Sequence, residues 1–293
     1  ITLVFVAMRI LPGDPALAVL GASADGGQLE ILRQKMGLND PLWLQYLHFL
    51  SDAVRLDFGR SLMNDVPISR LIADNLPYTI YLTLTSVVMG LVMGIPLGVY
   101  AATQRNRPPD SILRIYSLIG YAIPDFYLGA VLLVVFSLNL GWFPINGEGV
   151  GFWDGLHHIF LPALTLAMLK SAFLGRLTRT SLLEVLGRDF IRTARAKGAR
   201  EGRVIYRHGL RNELLPLSTG IGISILSTLS GSVAIELVFN RPGIGHLLID
   251  AITERDYPVI QAGVMMFAFF VILVNLAMDV VYVFVDPRVR IKS

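Results

Sequence analysis

Long uncharged stretches alternate with charged segments along the whole chain. No Asp, Glu, Lys or Arg occurs in residues 75–104, 126–147, 214–235 or 257–278, and each of these stretches is 22 to 30 residues long. About 20 predominantly apolar residues are enough for a helix to cross a bilayer. A helix on the surface of a water-soluble core would instead show a polar stripe every turn or so. The pattern therefore predicts an all-α integral membrane protein with at least four spanning helices.

Two further segments raise the expected number of spans to about six. Residues 155–169 are uncharged, and the apolar run continues beyond Lys170 to Gly175. This run can span the bilayer if Lys170 faces protein or extends its ammonium group to the interface. Residues 1–8 are apolar but would form only about 12 Å of helix. Because the chain begins with Ile, we expect the first spanning helix to be truncated.

Composition and charge agree with a membrane protein. Hydrophobic residues make up 54% of the chain and charged residues 16%, whereas a soluble domain carries about 25% charged residues. The chain has no cysteine, which excludes disulfides and cysteine-based metal or redox sites. Seventeen Lys and Arg lie on the side of the 102–114 and 170–213 connections, against seven on the other side. Basic residues favour the cytoplasm, so we expect both termini and the 170–213 connection there.

The most basic part of the chain is "RTARAKGAREGRVIYRHGLRNELLP" at 192–216. The preceding "DFIRTARAK" predicts one short helix, and arginines at 200, 203, 207 and 211 share one face of a second. Gly198 lies between them, where a sharp turn favours a residue that accepts positive φ. Three interpretations arise: a positively charged loop at the lipid surface, a nucleic-acid surface, or a compact knob that docks into a partner. A single aromatic, Tyr206, disfavours the nucleic-acid interpretation.

Three polar residues at membrane depth are candidates for a translocation path, because burying such groups in a bilayer is costly. Asp125 can line a path or satisfy the backbone freed by Pro124. Glu236 lies near the end of the 214–235 span, and Ser230 belongs to a run of small polar residues within it. Such small residues can pack helices closely or line a weakly selective pore.

Other catalytic and metal-binding patterns are weak. His157 and His158 are adjacent, but no third ligand follows at a suitable spacing and no H-E-x-x-H motif occurs. We therefore interpret them as solvated loop histidines. The sequence also contains no G-x-x-x-x-G-K-[ST] phosphate loop. If ATP drives this protein, a separate chain must bind it.

Several motifs together resemble one family. The pattern R-T-A-x-x-x-G at 192–198, followed by L-L-P at 214–216, resembles the cytoplasmic "EAA" loop of ATP-binding cassette (ABC) importer permeases. Arg192 and Thr193 replace the Glu-Ala of the general motif, and the gap from Gly198 to Pro216 is longer. Both departures are typical of the peptide/nickel branch. The same branch is indicated by "LPGDPA" at 11–16, "RLTRTSLLEVL" at 176–186, "RPGIGHLLIDAI" at 241–252, "RDYPVIQ" at 255–261 and "DPRVR" at 286–290.

The resemblance implies a type I ABC importer permease fold with a cytoplasmic coupling helix, in a bacterial inner membrane. Its partners would be a second homologous permease, two ATPase subunits and an extracytoplasmic solute-binding protein, with no nucleic acid and no cofactor of its own. In such permeases the folded loop inserts into a cleft on the ATPase. That role carries over to Arg192, Thr193, Ala194, Arg195, Ala196, Lys197 and Gly198. Arg211, Asn212 and Pro216 would mark where the loop rejoins the next span, or would only anchor the chain at the interface.

We accordingly expect residues 1–10 to end the truncated first helix, residues 11–74 to form a periplasmic segment, and residues 75–293 to form the permease core, with its EAA-type loop at 188–216. The expected function is a transport pathway for di- or oligopeptides, with ATP hydrolysis in partner subunits. Nickel complexes and glutathione are the alternative substrates within this family. An intramembrane enzyme is disfavoured because no nucleophile motif is present. A secondary transporter is disfavoured because no inverted repeat is visible.

Overall fold

The computed structural model describes residues 2, 5–6, 26–35, 37–55 and 57–285, and this part of the chain is almost entirely helical. The one β-type pairing among these residues is an isolated antiparallel bridge between Arg60 and Pro67. The helices, in chain order, are α1 (Gly26–Lys35), α2 (Leu42–Arg55), α3 (Ile68–Thr103), α4 (Pro108–Ala122), α5 (Asp125–Leu132, continued by a π-helix over Leu133–Asn139), α6 (Phe152–Leu186), α7 (Asp189–Ala196), α8 (Glu201–Arg203, continued by a π-helix over Val204–Gly209 and a 3-10 turn over Leu210–Glu213), α9 (Leu214–Val238), α10 (Ile244–Glu254) and α11 (Tyr257–Val285).

Four of these helices are long and apolar enough to cross a membrane: α3, α6, most of α9 and most of α11. They coincide with four of the predicted spans, and α6 continues through Lys170 without interruption. The bent pair α4–α5 adds a fifth span if the two helices count as one. The predicted first span, at residues 1–10, lies almost wholly outside the described residues.

The predicted third span, 126–147, differs from the structure. Instead of one straight helix, α4 and α5 meet at an angle of 104°. Pro124 causes the break, because a proline disfavours helical geometry in the preceding residue, and Ile123 is extended with φ −92° and ψ 124°. α4 was not predicted as a membrane helix, because Asp110 and Arg114 interrupt its apolar run.

Glycines allow α3 and α6 to approach closely. A Cβ added at Gly98 would lie 2.5 Å from the carbonyl oxygen of Gly175, and one added at Gly94 would lie 2.8 Å from that of Ser171. The two α3 glycines are four residues apart, which is the spacing of the small-residue motifs that bring membrane helices into backbone contact. The close approach makes α3 and α6 a tightly packed pair over this length.

The chain divides into two compact units, residues 1–78 with 242–271 and residues 79–241 with 272–293. In the first, Ile68, Ile72 and Leu248 belong to one apolar core, and Ser61 donates a hydrogen bond of 2.5 Å to the buried carboxylate of Asp256. The second has two cores, one built around Leu82, Leu166 and Ile235 and one around Val99, Ala102 and Leu182. The boundary expected between residues 74 and 75 lies inside α3.

Candidate functional site

The basic segment at 188–213, which we call the coupling segment, contains the two helices that the sequence predicted, with a turn at Gly198 between them. Gly198 has a φ of +77°. Its N–H donates to the carbonyl of Arg195 (2.9 Å), and the next N–H, of Ala199, donates to Ala194 (3.1 Å). These bonds cap the end of α7 in the way that a left-handed residue permits. A Cβ at Gly198 would meet nothing within 4 Å. Glycine is therefore favoured here by the backbone conformation and not by a steric clash with neighbouring atoms.

The coupling segment is anchored at its base and exposed at its tip. Ile191 in α7 and Val204 after α8 are completely buried. Gly209 packs so closely on α6 that an added Cβ would lie 2.7 Å from Leu182 Cδ1. By contrast, Ala194 is half-buried, and the other candidate coupling residues are exposed: Arg192, Thr193, Arg195, Ala196, Lys197 and Gly198. A partner can therefore reach the tip without displacing the core.

An ion pair closes the turn from one short helix to the next. Arg195 donates to both carboxylate oxygens of Glu201, with Nη2–Oε1 2.5 Å and Nε–Oε2 3.1 Å. The hydrogen bonds from Arg195 lower the pKa of Glu201 and raise the pKa of Arg195 itself. Both side chains are about half exposed, so solvent screens the pair and its contribution to stability is small. Its effect is to hold the tip of the coupling segment in one shape.

The predicted anchoring residues lie where the coupling segment meets α9. Arg211, Asn212 and Pro216 are all exposed, and Asn212 Nδ2 donates to the backbone carbonyl of His208 (2.6 Å). The hydrogen bond stabilises the irregular π and 3-10 turns that lead into the spanning helix. The three residues therefore lie together at the start of α9.

Glu213, beside them, was not singled out from the sequence. Its side chain is completely buried, and neither carboxylate oxygen has a hydrogen-bond partner among the described residues. Burial raises the pKa of Glu213 to about 8. A lone acid immediately before an apolar run was the only sequence signal that could have identified it.

We expect Glu213→Gln to stabilise the protein at pH 8 and to have less effect at pH 5. The folded-state pKa lies above the ordinary value, so the stability contributed by the protonated carboxyl is fully present below about pH 4.5 and is lost as the pH rises through about 8. Glutamine mimics the neutral form at every pH. Thermal unfolding in detergent should show a midpoint increase of roughly 5 °C at pH 8. Glu184→Gln, at an exposed acid of α6, should show no such pH-dependent gain.

A second buried carboxylate joins α4 to α6. Asp110 is completely buried and accepts hydrogen bonds from Nε and Nη2 of Arg179, the latter at 2.9 Å. It also accepts from Arg114 Nη2 (2.7 Å) and from the backbone N–H of Asn106 (2.9 Å). This cluster was not predictable from local sequence, because Asp110 and Arg179 are 69 residues apart along the chain. The cluster ties the beginning of α4 to α6 near the end that leads into the coupling segment.

Each of the three candidate path residues makes a different contact. Glu236 is buried and accepts a hydrogen bond of 2.7 Å from Thr79 Oγ1 of α3. Ser230 is exposed, and its hydroxyl donates to the carbonyl of Leu226 in the preceding turn (3.2 Å). Asp125 is half-buried and begins α5, with its carboxylate beside Gly231 of α9. Asp125 thus lies beside the part of α9 that carries Ser230. Glu236, by contrast, is hydrogen-bonded to α3.

Both histidines of the 157–158 pair contact backbone carbonyls. His157 Nε2 lies 2.8 Å from the carbonyl oxygen of Trp142, and His158 Nδ1 lies 2.8 Å from that of Asp154. Within the described ranges, no group of three or more His, Cys, Asp or Glu is arranged to hold a metal ion.

In the described part of the chain, an exposed helix–turn–helix lies between two membrane-spanning helices, α6 and α9. Two solved structures share this fold. The MetNI methionine ABC transporter matches with a TM-score of 0.62 and 19% identity over 74% of this chain and 96% of its own. An amino acid ABC transporter matches with a TM-score of 0.55 and 14% identity over 73% and 94%.

The sequence comparisons establish the family. A model described as "Binding-protein-dependent transport system inner membrane component" matches residues 94–291, and the model of the N-terminal region of such components matches residues 1–83. The glutathione transport system permease protein GsiC of Escherichia coli K12 is 43% identical over 290 residues, which is 99% of this chain and 93% of GsiC. GsiC of Shigella boydii is 42% identical over the same fractions of the two chains.

The chain therefore belongs to the family of binding-protein-dependent transport system inner membrane components. It is a permease subunit of an ABC importer of the peptide/nickel type and a multi-pass protein of the inner membrane. The family and the type I permease fold predicted from the motifs are confirmed.

Proposed function

We propose that this subunit forms, together with a second homologous permease, the pathway by which a bacterium imports small peptides, including the γ-linked tripeptide glutathione. The observation that carries the proposal is the 43% identity to GsiC over 99% of the chain, because the resemblance extends through every span and loop. Nickel complexes, the other substrates considered for this family, have less support, since no three potential metal ligands converge among the described residues.

ATP hydrolysis takes place in two partner ATPases, since this chain lacks a phosphate-loop motif. An extracytoplasmic solute-binding protein delivers the substrate to the periplasmic segment at 11–74. Both termini and the coupling segment lie in the cytoplasm, as the distribution of Lys and Arg indicates. The contribution of this chain is conformational: its path opens to one side or the other according to the contacts that each nucleotide state of the ATPases favours.

Residues 192–198 of the coupling segment insert into a cleft on one ATPase. Their exposure and the buried base at Ile191 support this role. The small side chains of Ala194 and Ala196 permit close approach, and Arg192 can pair with an acidic rim. Arg211, Asn212 and Pro216 position the return of the segment into α9, so that motion of the ATPase is passed to a spanning helix.

Asp125, Ser230 and Glu236 contribute to the translocation path. The accessibility of Asp125 and Ser230 at membrane depth supports a role in lining the path. Asp125 is half-buried and Ser230 is exposed. Glu236 lies deeper, where its hydrogen bond with Thr79 fixes the wall of the path.

The test is uptake by the reconstituted importer. This chain, the second permease and both ATPases are co-purified and placed in liposomes with ATP inside and the cognate binding protein outside. We expect ATP-dependent accumulation of radiolabelled glutathione or dialanine, and none when the ATPases are omitted. Accumulation of nickel with neither peptide would refute the proposed substrate class. An active chain that purifies without ATPases would refute the importer mechanism.

A further inference from the structure

The helix α2 exposes a stripe of apolar side chains. Trp43, Leu47 and Val54 are 65%, 52% and 85% exposed, and Leu50 is half-buried. These four residues, which we call the apolar stripe, follow the spacing i, i+4, i+7 and i+11, so they share one face of the helix. Contiguous exposed apolar patches mark surfaces that contact a protein, a ligand or a membrane. The apolar stripe is therefore a contact surface.

A second face of α2 packs against the apolar run at residues 1–8, which is expected to end the first span. The ring centroid of Phe5 in this run lies 5.2 Å from that of Tyr46 and 5.6 Å from that of Phe49. The Tyr46 hydroxyl is hydrogen-bonded to Thr2 Oγ1 at 2.7 Å, and Phe5 is buried. These contacts hold α2 beside the end of a membrane span.

The third face of α2 is polar. Its members, which we call the polar face, are all exposed: His48, Ser51, Asp52 and Arg55. With 3.6 residues per turn, the apolar stripe, the face toward the first span and the polar face are centred about 120° apart around the helix axis. A helix in the plane of a membrane interface divides in this way, with one face toward acyl chains and another toward water. Trp43 suits that boundary, because tryptophan is enriched at membrane–water interfaces.

Gln45 fixes the rotation of α2 about its axis. Its buried side chain donates from Nε2 to the carbonyl oxygens of Leu38 (3.2 Å) and Asp40 (2.7 Å), in the turn before the helix. A rotation that turned the apolar stripe inward would break these hydrogen bonds and separate the aromatic rings of α2 from Phe5. The stripe therefore keeps its outward direction beside the first span.

We propose that α2 is an interfacial helix whose apolar stripe rests among the acyl chains of the outer leaflet. The inference takes from the proposed function only the periplasmic side of residues 11–74. Lipid fits better than a protein partner because α2 already lies against a span on one face and exposes charged groups on another, so the remaining face meets the surface of the bilayer. Burial of the stripe anchors the periplasmic segment at the membrane.

Spin labels on single cysteines test this surface, since the chain has no cysteine of its own. Leu47→Cys and Val54→Cys place the label on the apolar stripe, and Ser51→Cys and Arg55→Cys place it on the polar face as matched controls. The importer, without its binding protein, is reconstituted in vesicles of phosphatidylethanolamine and phosphatidylglycerol. Power-saturation EPR then compares collisions with oxygen, which concentrates in acyl chains, and with a neutral water-soluble nickel chelate. Wild-type chain treated with the label measures the background from partner subunits.

We expect the ratio of oxygen to nickel-chelate collisions to be severalfold higher on the apolar stripe than on the polar face. Equal ratios on both faces would place the stripe in water and overturn the inference. Shielding of the stripe from both reagents would show that another subunit covers it, which would also overturn the inference. Trp43→Cys and His48→Cys repeat the comparison if one of the first variants fails to assemble with the ATPases.

A second measurement fixes the side of the membrane. In spheroplasts, Ser51→Cys and Arg55→Cys should react with a membrane-impermeant maleimide added outside, whereas the cysteine-free wild type should not. Reaction only after lysis would place α2 on the cytoplasmic side and overturn the outer-leaflet assignment. Neither readout requires transport. A wild type that imports neither glutathione nor dialanine therefore refutes the proposed substrate class alone, whereas water-exposed labels on the apolar stripe refute this inference alone.

Discussion

Gly198→Pro is expected to reduce ATP-driven uptake about 100-fold or more, because it destroys the turn that shapes the tip of the coupling segment. Gly198 has a φ of +77°, whereas proline fixes φ near −65°. The substitution also removes the N–H that donates to Arg195. Together these effects cost on the order of 3 kcal/mol or more, and the α7–α8 arrangement should be lost. Uptake and ATP hydrolysis are measured on the same reconstituted complex, where we expect hydrolysis that no longer drives transport.

The matched control is Gly198→Asn. Asparagine enters the left-handed region more readily than other side chains, and an added Cβ at this position meets nothing within 4 Å. We expect this variant to retain most of the uptake. Equal, near wild-type uptake by the proline and asparagine variants would show that the turn at Gly198 has no part in coupling.

Asp110→Ala is expected to destabilise the folded protein severely. It removes the carboxylate that pairs with Arg179, a side chain that is only 18% exposed. Removing one partner of a buried pair costs about 3–5 kcal/mol, because the other charge remains buried without compensation. For a domain of this size such a loss lowers the thermal midpoint by about 10 °C, which unfolding of the purified protein in detergent measures directly.

Two comparisons define the origin of that loss. Glu30→Ala removes an exposed ion pair with Arg33, whose charged atoms are 3.7 Å apart, and should shift the midpoint by less than about 1 °C. The double variant Asp110→Ala/Arg179→Leu removes both buried charges and should recover much of the stability. A single variant as stable as the wild type would mean that the cluster joining α4 to α6 does not stabilise the fold.

The spans and the turn at Gly198 were predictable because their causes are local. Uncharged runs as long as a bilayer is thick define α3, α9 and α11 from composition alone, and the apolar run that continues past Lys170 defines most of α6. The glycine between two short basic helices is required by the backbone conformation of one residue, which is a property of that position and its neighbours. The family motifs in the same segments were likewise visible without any knowledge of packing.

The bend between α4 and α5 was only partly predictable. Pro124 marked a possible break, but the charges of α4 made the region read as a loop. In the structure those charges are compensated: Asp110 is buried because Arg179 of α6 reaches it. An ion pair between residues that are 69 positions apart leaves no local pattern in the sequence. The sequence therefore did not predict α4, the helix that this ion pair stabilises.

The sequence by itself determined the class of protein, the positions of α3, α6, α9 and α11, and the turn of the coupling segment at Gly198. Tertiary structure alone decided which polar side chains are paired and which are not. Among the described residues, Glu213 is buried without a hydrogen-bond partner, whereas Asp110 is buried against Arg179. The physical reason is that hydrophobicity and backbone preference act residue by residue, whereas the environment of a charge is created by helices that meet only when the chain has folded.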